Sequence, residues 1–195
     1  MMMNKRIILA SQSPRRLQLL AQLGVDCIVQ PADVDESVFP GELPVEYVLR
    51  LAVDKVQAVL GMQAGVLMVP ILAADTTVAL QGRIFGKPMD EHEAAEMLRV
   101  FSGCTHEVHT AIAIATPKRV LSAVNTTQVT FCSLSDAMIA AYIATGEYRD
   151  KAGSYGIQGY AGAWVQHLSG SYTGVMGLPL HETAQLLIQA QSDFE

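Results

Sequence analysis

An α/β architecture is what this sequence predicts, and three observations carry the prediction. Short apolar runs that read as buried strands, residues 7–10 and 69–74, alternate with longer stretches of helical periodicity. Two of those stretches open on a proline, Pro14 and Pro44, at the first helical position where proline is best tolerated. Further along, strand-like and helix-like segments keep alternating, a pattern that favours α/β over a helical bundle or a β-sandwich.

Each element has its own local reason. After the first strand, Ser13 reads as an N-cap and Pro14 as the first residue of a helix with Leu17, Leu19, Leu20 and Leu23 on its apolar face and Gly24 as its stop. Arg15 and Arg16 then fall in the first turn, where the helix end already carries about half a positive charge and repels cations unless an anion shares the site. Two readings follow: a phosphate cradle of Ser11 and Ser13 hydroxyls, backbone N–H groups and guanidinium forks, or a solvated helix start whose arginines face water or a carboxylate.

Residues 27–29 read as a short strand, followed by an acidic loop with Asp33, Asp35 and Glu36. The Pro44 helix presents Val45, Val48, Leu49, Ala52, Val56, Val59 and Leu60, and Gly61 or Gly65 closes it. Glu46 and Arg50 make an i,i+4 pair on its polar face. Asp75 stands at the end of the second buried strand. Residues 78–80 and 83–85 form a hairpin through Gln81-Gly82, delivering Lys87 in the tight Gly86-Lys87-Pro88 loop. Asp90 and Glu93 start a helix with Ala94, Met97, Leu98 and Phe101 buried and Ser102-Gly103 as its end. Residues 106–115 and 120–133 read as two long strands, and Ser135 caps a helix running to Gly146. Residues 150–177 are rich in glycine and aromatics, with 164–168 strand-like, which implies backbone that approaches something closely. The last helix begins at residues 177–180 and turns Leu180, Ala184, Leu187 and Ile188 inward.

The 195 residues fit a single unit spanning 1–195, and with half of them hydrophobic and 16% charged the chain buries a substantial core. A net charge of −6 with no basic stripe argues against nucleic acid. Cys27, Cys104 and Cys132 lack any C-x-x-C spacing and read as small core residues in a reducing compartment. The four apolar residues after 1–6 are too few for a signal peptide, and no run reaches membrane-spanning length, so the expected setting is the cytoplasm.

Asp75 is the best candidate for a catalytic carboxylate, since ligands of open α/β sheets gather at strand ends; the alternative is a turn aspartate bonded to the N–H groups of Thr76 and Thr77. Asp35, Glu36 and Asp75 converging on a phosphate cradle would suit Mg2+ or Mn2+, against solvated loop carboxylates. Lys87 is either an aimed cation or a hairpin-end lysine in water. His106 and His109 face opposite sides of a strand and cannot pair on one metal. There is no P-loop, G-x-S-x-G or H-E-x-x-H.

Taken in order, residues 10–16 (ASQSPRR), Asp35-Glu36, residues 74–78 (ADTTV), Gly86-Lys87-Pro88, residues 150–159 (DKAGSYGIQG) and Gly177-Leu178-Pro179 resemble the motifs of the Maf family of nucleoside triphosphate pyrophosphatases. The resemblance covers the chain from about residue 7 to the last helix. It implies an elongated mixed sheet flanked by helices, two lobes around a cleft as in inosine triphosphate pyrophosphatases, and a homodimer. It also implies hydrolysis of a nucleoside triphosphate to monophosphate and pyrophosphate with a divalent cation. By position, Asp75 matches the family's proton acceptor, Ser11, Arg15, Arg16, Lys55 and Lys87 its substrate contacts, and Glu36 a metal or water ligand. Arg15, Thr76 and Gln158 match positions tied to base selectivity. Arg-Arg, Ala-Asp-Thr and Tyr-x-Ile-Gln-Gly are similar to the dTTP/UTP branch, whereas the 7-methyl-GTP branch carries Trp, Ser-Asp-Gln and Ser-Glu-Gly there. A second implication is a nucleotide-binding regulator of septum formation with incidental hydrolysis.

Overall fold

The computed structural model describes residues 6–63 and 67–194. Gly65 and the first five residues, on which parts of the sequence reading fall, lie outside the described residues. The elements run β1 (Arg6–Leu9), α1 (Pro14–Gln22), β2 (Asp26–Val29), α2 (Pro44–Gly61), β3 (Ile71–Leu80), β4 (Arg83–Phe85) and α3 (Glu91–Phe101). They continue as β5 (Thr105–Ala115), β6 (Val120–Phe131), α4 (Asp136–Thr145), β7 (Val165–Ser169), α5 (Tyr172–Val175) and α6 (Leu180–Gln191). All seven strands share one mixed sheet in the order β2-β1-β3-β5-β6-β7, with β4 also paired to β3. β1 is parallel to β2 and β3, and the remaining pairs are antiparallel.

Strand alternation divides the core in two. Ile71 and Ala73 of β3 and Ala111, Ala113 and Ala115 of β5 face α2, where Val48, Leu51, Ala52, Val56 and Val59 cover them. Small alanines let the helix lie close to the strands. Leu72, Ala74 and Val78 with Ile112 and Ile114 face the other way, onto Leu19 and Leu20 of α1, Leu98 and Phe101 of α3 and Leu187 of α6. His106 sits in an aromatic cluster on that second face, with its Nε2 2.8 Å from the Tyr155 hydroxyl. Burial pulls its pKa down to about 4, so it is a neutral core residue.

One gap in the pairing positions everything that follows. β1 accompanies β3 only at Ile71 and Leu72, and β4 joins the same edge only from Val78 onward. Residues 73–77 therefore have β5 on one side and no strand on the other among the described residues, a notch in the middle of the sheet.

Several local readings need correction. Ser13 occupies the N-cap position without capping through its side chain. Glu46 does not pair with Arg50; it accepts from the Leu43 N–H, while Arg50 binds Glu42 at 2.6 Å and Asp54 at 3.5 Å. The loop-to-helix approach brings Glu42 closer than one turn of helix brings Glu46. Leu17, Val45 and Ile188 are exposed, because the buried stripes are narrower than the hydrophobic pattern. Gly61 falls inside the last turn of α2 rather than after it. The three cysteines are free and half-buried rather than in the core.

Candidate functional site

The notch is lined from both faces of the sheet. Asp75 is not at the end of a strand: β3 runs through it to Leu80, because the β-branched Thr76, Thr77 and Val78 continue the extended backbone. That places Asp75 on the α2 face and Thr76 on the opposite face, side by side in the chain. A turn role for the aspartate is thereby excluded.

On the α2 face, Lys55 occupies a position of the buried helical stripe, three and four residues beyond Ala52 and Leu51. Its ammonium lies 2.7 Å from Asp75 Oδ1 and 2.6 Å from Glu36 Oε1. Two turns earlier on the same helix row, the Tyr47 hydroxyl donates to the Glu36 carbonyl at 2.9 Å. Glu36 is thus held at both its backbone and its carboxylate. Arg50 fixes the neighbouring loop by donating to Ser37 O at 2.9 Å and stacking 4.0 Å over Phe39. Lys87, exposed in its loop, is 3.7 Å from Glu36 Oε2, and the Gly86 carbonyl beside it accepts from Gly153 N at 3.0 Å.

Burial pushes the Asp75 carboxyl above its ordinary value, opposed by Lys55 and Arg16. For Glu36, burial also acts upward, but Lys55 and Lys87 outweigh it and the net direction is down. Burial next to two carboxylates lifts the Tyr47 phenol to about 12, so it stays a donor.

On the other face, Arg16 reaches from α1 into a set of neutral acceptors. Its Nε donates to Gly177 O at 2.8 Å, Nη1 to Ser11 Oγ at 3.1 Å and Nη2 to Thr76 Oγ1 at 3.3 Å. Ser11 Oγ also accepts from Ser13 N at 3.2 Å, so the hydroxyl hydrogen of Ser11 is left to donate. Burial draws the Arg16 pKa below its ordinary value; Asp75 opposes that and Arg15 adds to it. Arg15 has no hydrogen bond or ion pair among the described residues, yet it weighs on both Arg16 and Lys151. Such like charges gathered at one helix start favour an anionic ligand.

The structure brings Ser11, Arg16 and Thr76 into contact on one face, and Glu36, Lys55, Asp75 and Lys87 on the other. It does not bring in Asp35, whose carboxylate accepts from Ser37 N at 2.9 Å, so three carboxylates do not converge. Gln158 is exposed and makes no hydrogen bond with the described residues, and Thr76, the other position tied to base selectivity beside Arg15, is bonded to Arg16 and Thr110. The glycines of 150–159 approach the protein itself: a Cβ on Gly153 would lie 2.7 Å from Val78, and one on Gly159 would lie 2.0 Å from the Glu147 carboxylate. Tyr47 was missed by sequence reasoning, although its spacing of eight from Lys55 on one helix row was visible. A lysine inside an apolar stripe was the matching signal for Lys55.

Among the described residues, no group of three or more His, Cys, Asp or Glu side chains could hold a metal ion. Asp75 and Glu36 each keep one carboxylate oxygen not bonded to Lys55. Two hard oxygens of this kind suit a divalent cation that completes its shell with phosphate oxygens and water.

Comparisons with known proteins bear on the whole chain. It is 54% identical over 182 residues to the dTTP/UTP pyrophosphatase of Methylobacillus flagellatus, covering 93% of this chain and 91% of that one. It is 53% identical to the dTTP/UTP pyrophosphatase of Chromobacterium violaceum, with 94% of each covered. Among solved structures, the nucleoside-triphosphatase / dITP/XTP pyrophosphatase of Mycobacterium abscessus matches 65% of this chain and 74% of its own, at 18% identity and a TM-score of 0.41. Residues 6–190 match the family described as Maf-like protein, and with the notch and its two faces in view, the chain belongs to the Maf family.

Proposed function

We propose that the protein hydrolyses dTTP and UTP, and modified pyrimidine triphosphates, to the nucleoside monophosphate and pyrophosphate. The observation that carries this reading is the juxtaposition at Asp75 and Thr76. A desolvated carboxylate held by Lys55 sits next to a guanidinium whose three bonding partners are all uncharged. The relatives named dTTP/UTP pyrophosphatase support it at the level of substrate.

Arg15, Arg16 and Lys87 neutralise and orient the triphosphate, each guanidinium offering parallel donors to phosphate oxygens. Asp75 accepts the proton of a water directed at the α-phosphorus, and its burial makes it the more basic of the two carboxylates. Lys55 keeps Asp75 ionised and aimed. Asp75 and Glu36 would hold Mg2+ or Mn2+, which would supply charge neutralisation and Lewis acidity. The working state is a cytoplasmic homodimer acting on free nucleotides, without nucleic acid or membrane. Among the described residues no helix is long and apolar enough to cross a membrane.

Gln158 reads the base: its amide accepts from N3–H and donates to O4 of uracil or thymine. Chromatography of the initial products tests the reaction, with UMP or dTMP and pyrophosphate expected; UDP or dTDP with orthophosphate overturns it. Gln158→Glu is expected to penalise UTP and dTTP more than CTP, whose N4 amino group can still donate to a carboxylate.

A further inference from the structure

One fully buried hydroxyl, named above only as a partner of Thr76, is wired into the cradle. Thr110 lies in the middle of β5, directly opposite Thr76, with no exposed surface. Its Oγ1 donates to Gly174 O at 2.8 Å and lies 2.9 Å from Thr76 Oγ1. A hydroxyl has a single hydrogen, and a carbonyl has none to give. The hydrogen of Thr110 is therefore committed to Gly174, and the contact between the two threonines has one possible direction, with Thr76 donating. What Thr76 then offers Arg16 is a lone pair, which Nη2 uses at 3.3 Å. The chain of donation runs from Arg16 through Thr76 and Thr110 to Gly174 O.

The acceptor at its end belongs to a firmly placed segment. Ser171 Oγ accepts from Gly174 N at 3.0 Å, and Ser171 N donates to Thr127 Oγ1 of β6 at 2.9 Å. A Cβ on Gly174 would lie 2.9 Å from Asn125 Oδ1, so a side chain there would have to displace Asn125. The same segment supplies Gly177 O to Arg16 Nε at 2.8 Å. Two of the three bonds that fix the guanidinium therefore trace to residues 171–177, one directly and one through Thr110.

We propose that Thr110 is a positioning residue: by setting the direction of the Thr76 hydroxyl it holds the Arg16 fork in the orientation that receives the triphosphate. This rests on the reading of Arg16 as a phosphate ligand. It also assigns Thr76 an indirect role, since its hydrogen is already committed and it acts on the substrate through Arg16.

Thr110→Val tests the proposal, because it keeps the β-branched shape and removes only the hydroxyl. Gly174 O retains the Gly177 N–H at 2.9 Å, so the change orphans no acceptor there. Affinity for inorganic triphosphate by calorimetry, and KM for UTP, should weaken roughly three- to tenfold, the range of one lost hydrogen bond. The kcat should stay within about twofold, since Asp75 is on the opposite face, and Thr110→Ser should restore the affinity. Thr76→Val, which also removes the acceptor of Arg16 Nη2, should lose at least as much, and the double variant no more than Thr76→Val alone. Should Thr110→Val not fold, Thr76→Val and Thr110→Ser carry the same comparison.

Wild-type affinity in either valine variant overturns the proposal. So do equal losses in Thr110→Ser and Thr110→Val, additive losses in the double variant, or an effect confined to kcat. If wild-type protein binds no inorganic triphosphate and Arg16→Ala leaves KM unchanged, the phosphate reading of Arg16 has failed, a result distinct from the failure of Thr110 alone.

Discussion

Two cations approach neighbouring residues of β3 from opposite faces of the sheet, and their surroundings treat them in opposite ways. Lys55 is buried, but carboxylates stand 2.6 Å and 2.7 Å from its nitrogen, so its charge is answered twice over. Arg16 is half-buried, and a carbonyl and two hydroxyls surround it. Burying a charge is costly unless a counter-charge accompanies it. Lys55 is therefore complete within the protein and serves to hold Glu36 and Asp75, whereas Arg16 retains attraction for an anion from outside. A count of cations around the notch would miss the distinction; their partners reveal it.

The comparison can be broken most forcefully at the carboxylate that Lys55 holds. Asp75→Asn keeps the shape and removes the base, so kcat should fall by about two to four orders of magnitude while circular dichroism and triphosphate binding persist. Near-normal turnover would reduce the α2 face to scaffolding.

Lys55→Met comes next. It leaves Asp75 and Glu36 facing each other without a cation, at a cost of about 3 kcal/mol in denaturant unfolding, the low end for a broken buried pair because Glu36 is partly solvated. The sign of its pH effect is also fixed. Burial holds the Asp75 pKa above its ordinary value and Lys55 lowers it, so in wild type activity should be lost as pH falls through that raised value. Without Lys55 the acid limb should move to higher pH still. An unchanged limb with a raised KM would make Lys55 a substrate ligand rather than the partner of Asp75.

Arg16→Ala should weaken triphosphate affinity and, because Arg16 also holds the Asp75 pKa down, move the acid limb upward in the same sense as Lys55→Met. A charge-assisted contact of roughly 1.5–3 kcal/mol corresponds to about ten- to over a hundredfold in Kd. Arg16→Lys should recover little, because an ammonium cannot reproduce the planar fork.

The smallest expected effect is that of Tyr47→Phe, which removes only the hydroxyl on the Glu36 carbonyl. A fall in kcat/KM of roughly two- to tenfold, with little change in Tm, is the range of one neutral hydrogen bond. No change would mean that Lys55 alone suffices to place Glu36.

Much of this arrangement was legible in the sequence, and what was not has physical causes. Apolar runs and helix-period stripes located the strands and helices, and α3 conforms closely, with Asp90 Oδ1 accepting from Glu93 N at 2.8 Å and Ala94, Met97, Leu98 and Phe101 buried. Asp75-Thr76-Thr77 interrupts the apolar run of β3 and so looks like a turn, although threonines extend strands readily. Local spacing favoured Glu46 for Arg50, but Glu42 comes from a loop folded back by tertiary contacts that no spacing rule contains. Neighbouring Asp35 and Glu36 look equivalent in sequence; the fold turns one onto its own backbone at Ser37 and the other onto Lys55. The resemblance to the family marked Lys55, for which periodicity alone supplied no role.

The notch also makes a central strand behave locally as an edge. By strand alternation, the residues of β3 whose amides point toward β1 and β4 are the even-numbered ones, as the Ala10 N–H to Leu72 O bond of 2.8 Å records. Within the gap these are Ala74 and Thr76, while Asp75 and Thr77 turn their amides into the ladder with β5. Hydrogen–deuterium exchange should therefore be faster at Thr76, which is part-exposed and whose amide has no ladder partner among the described residues, than at Asp75 and Thr77 on either side of it. A nucleotide seated in the notch would slow Thr76 first, which makes this backbone amide a built-in reporter of occupancy that needs neither label nor turnover.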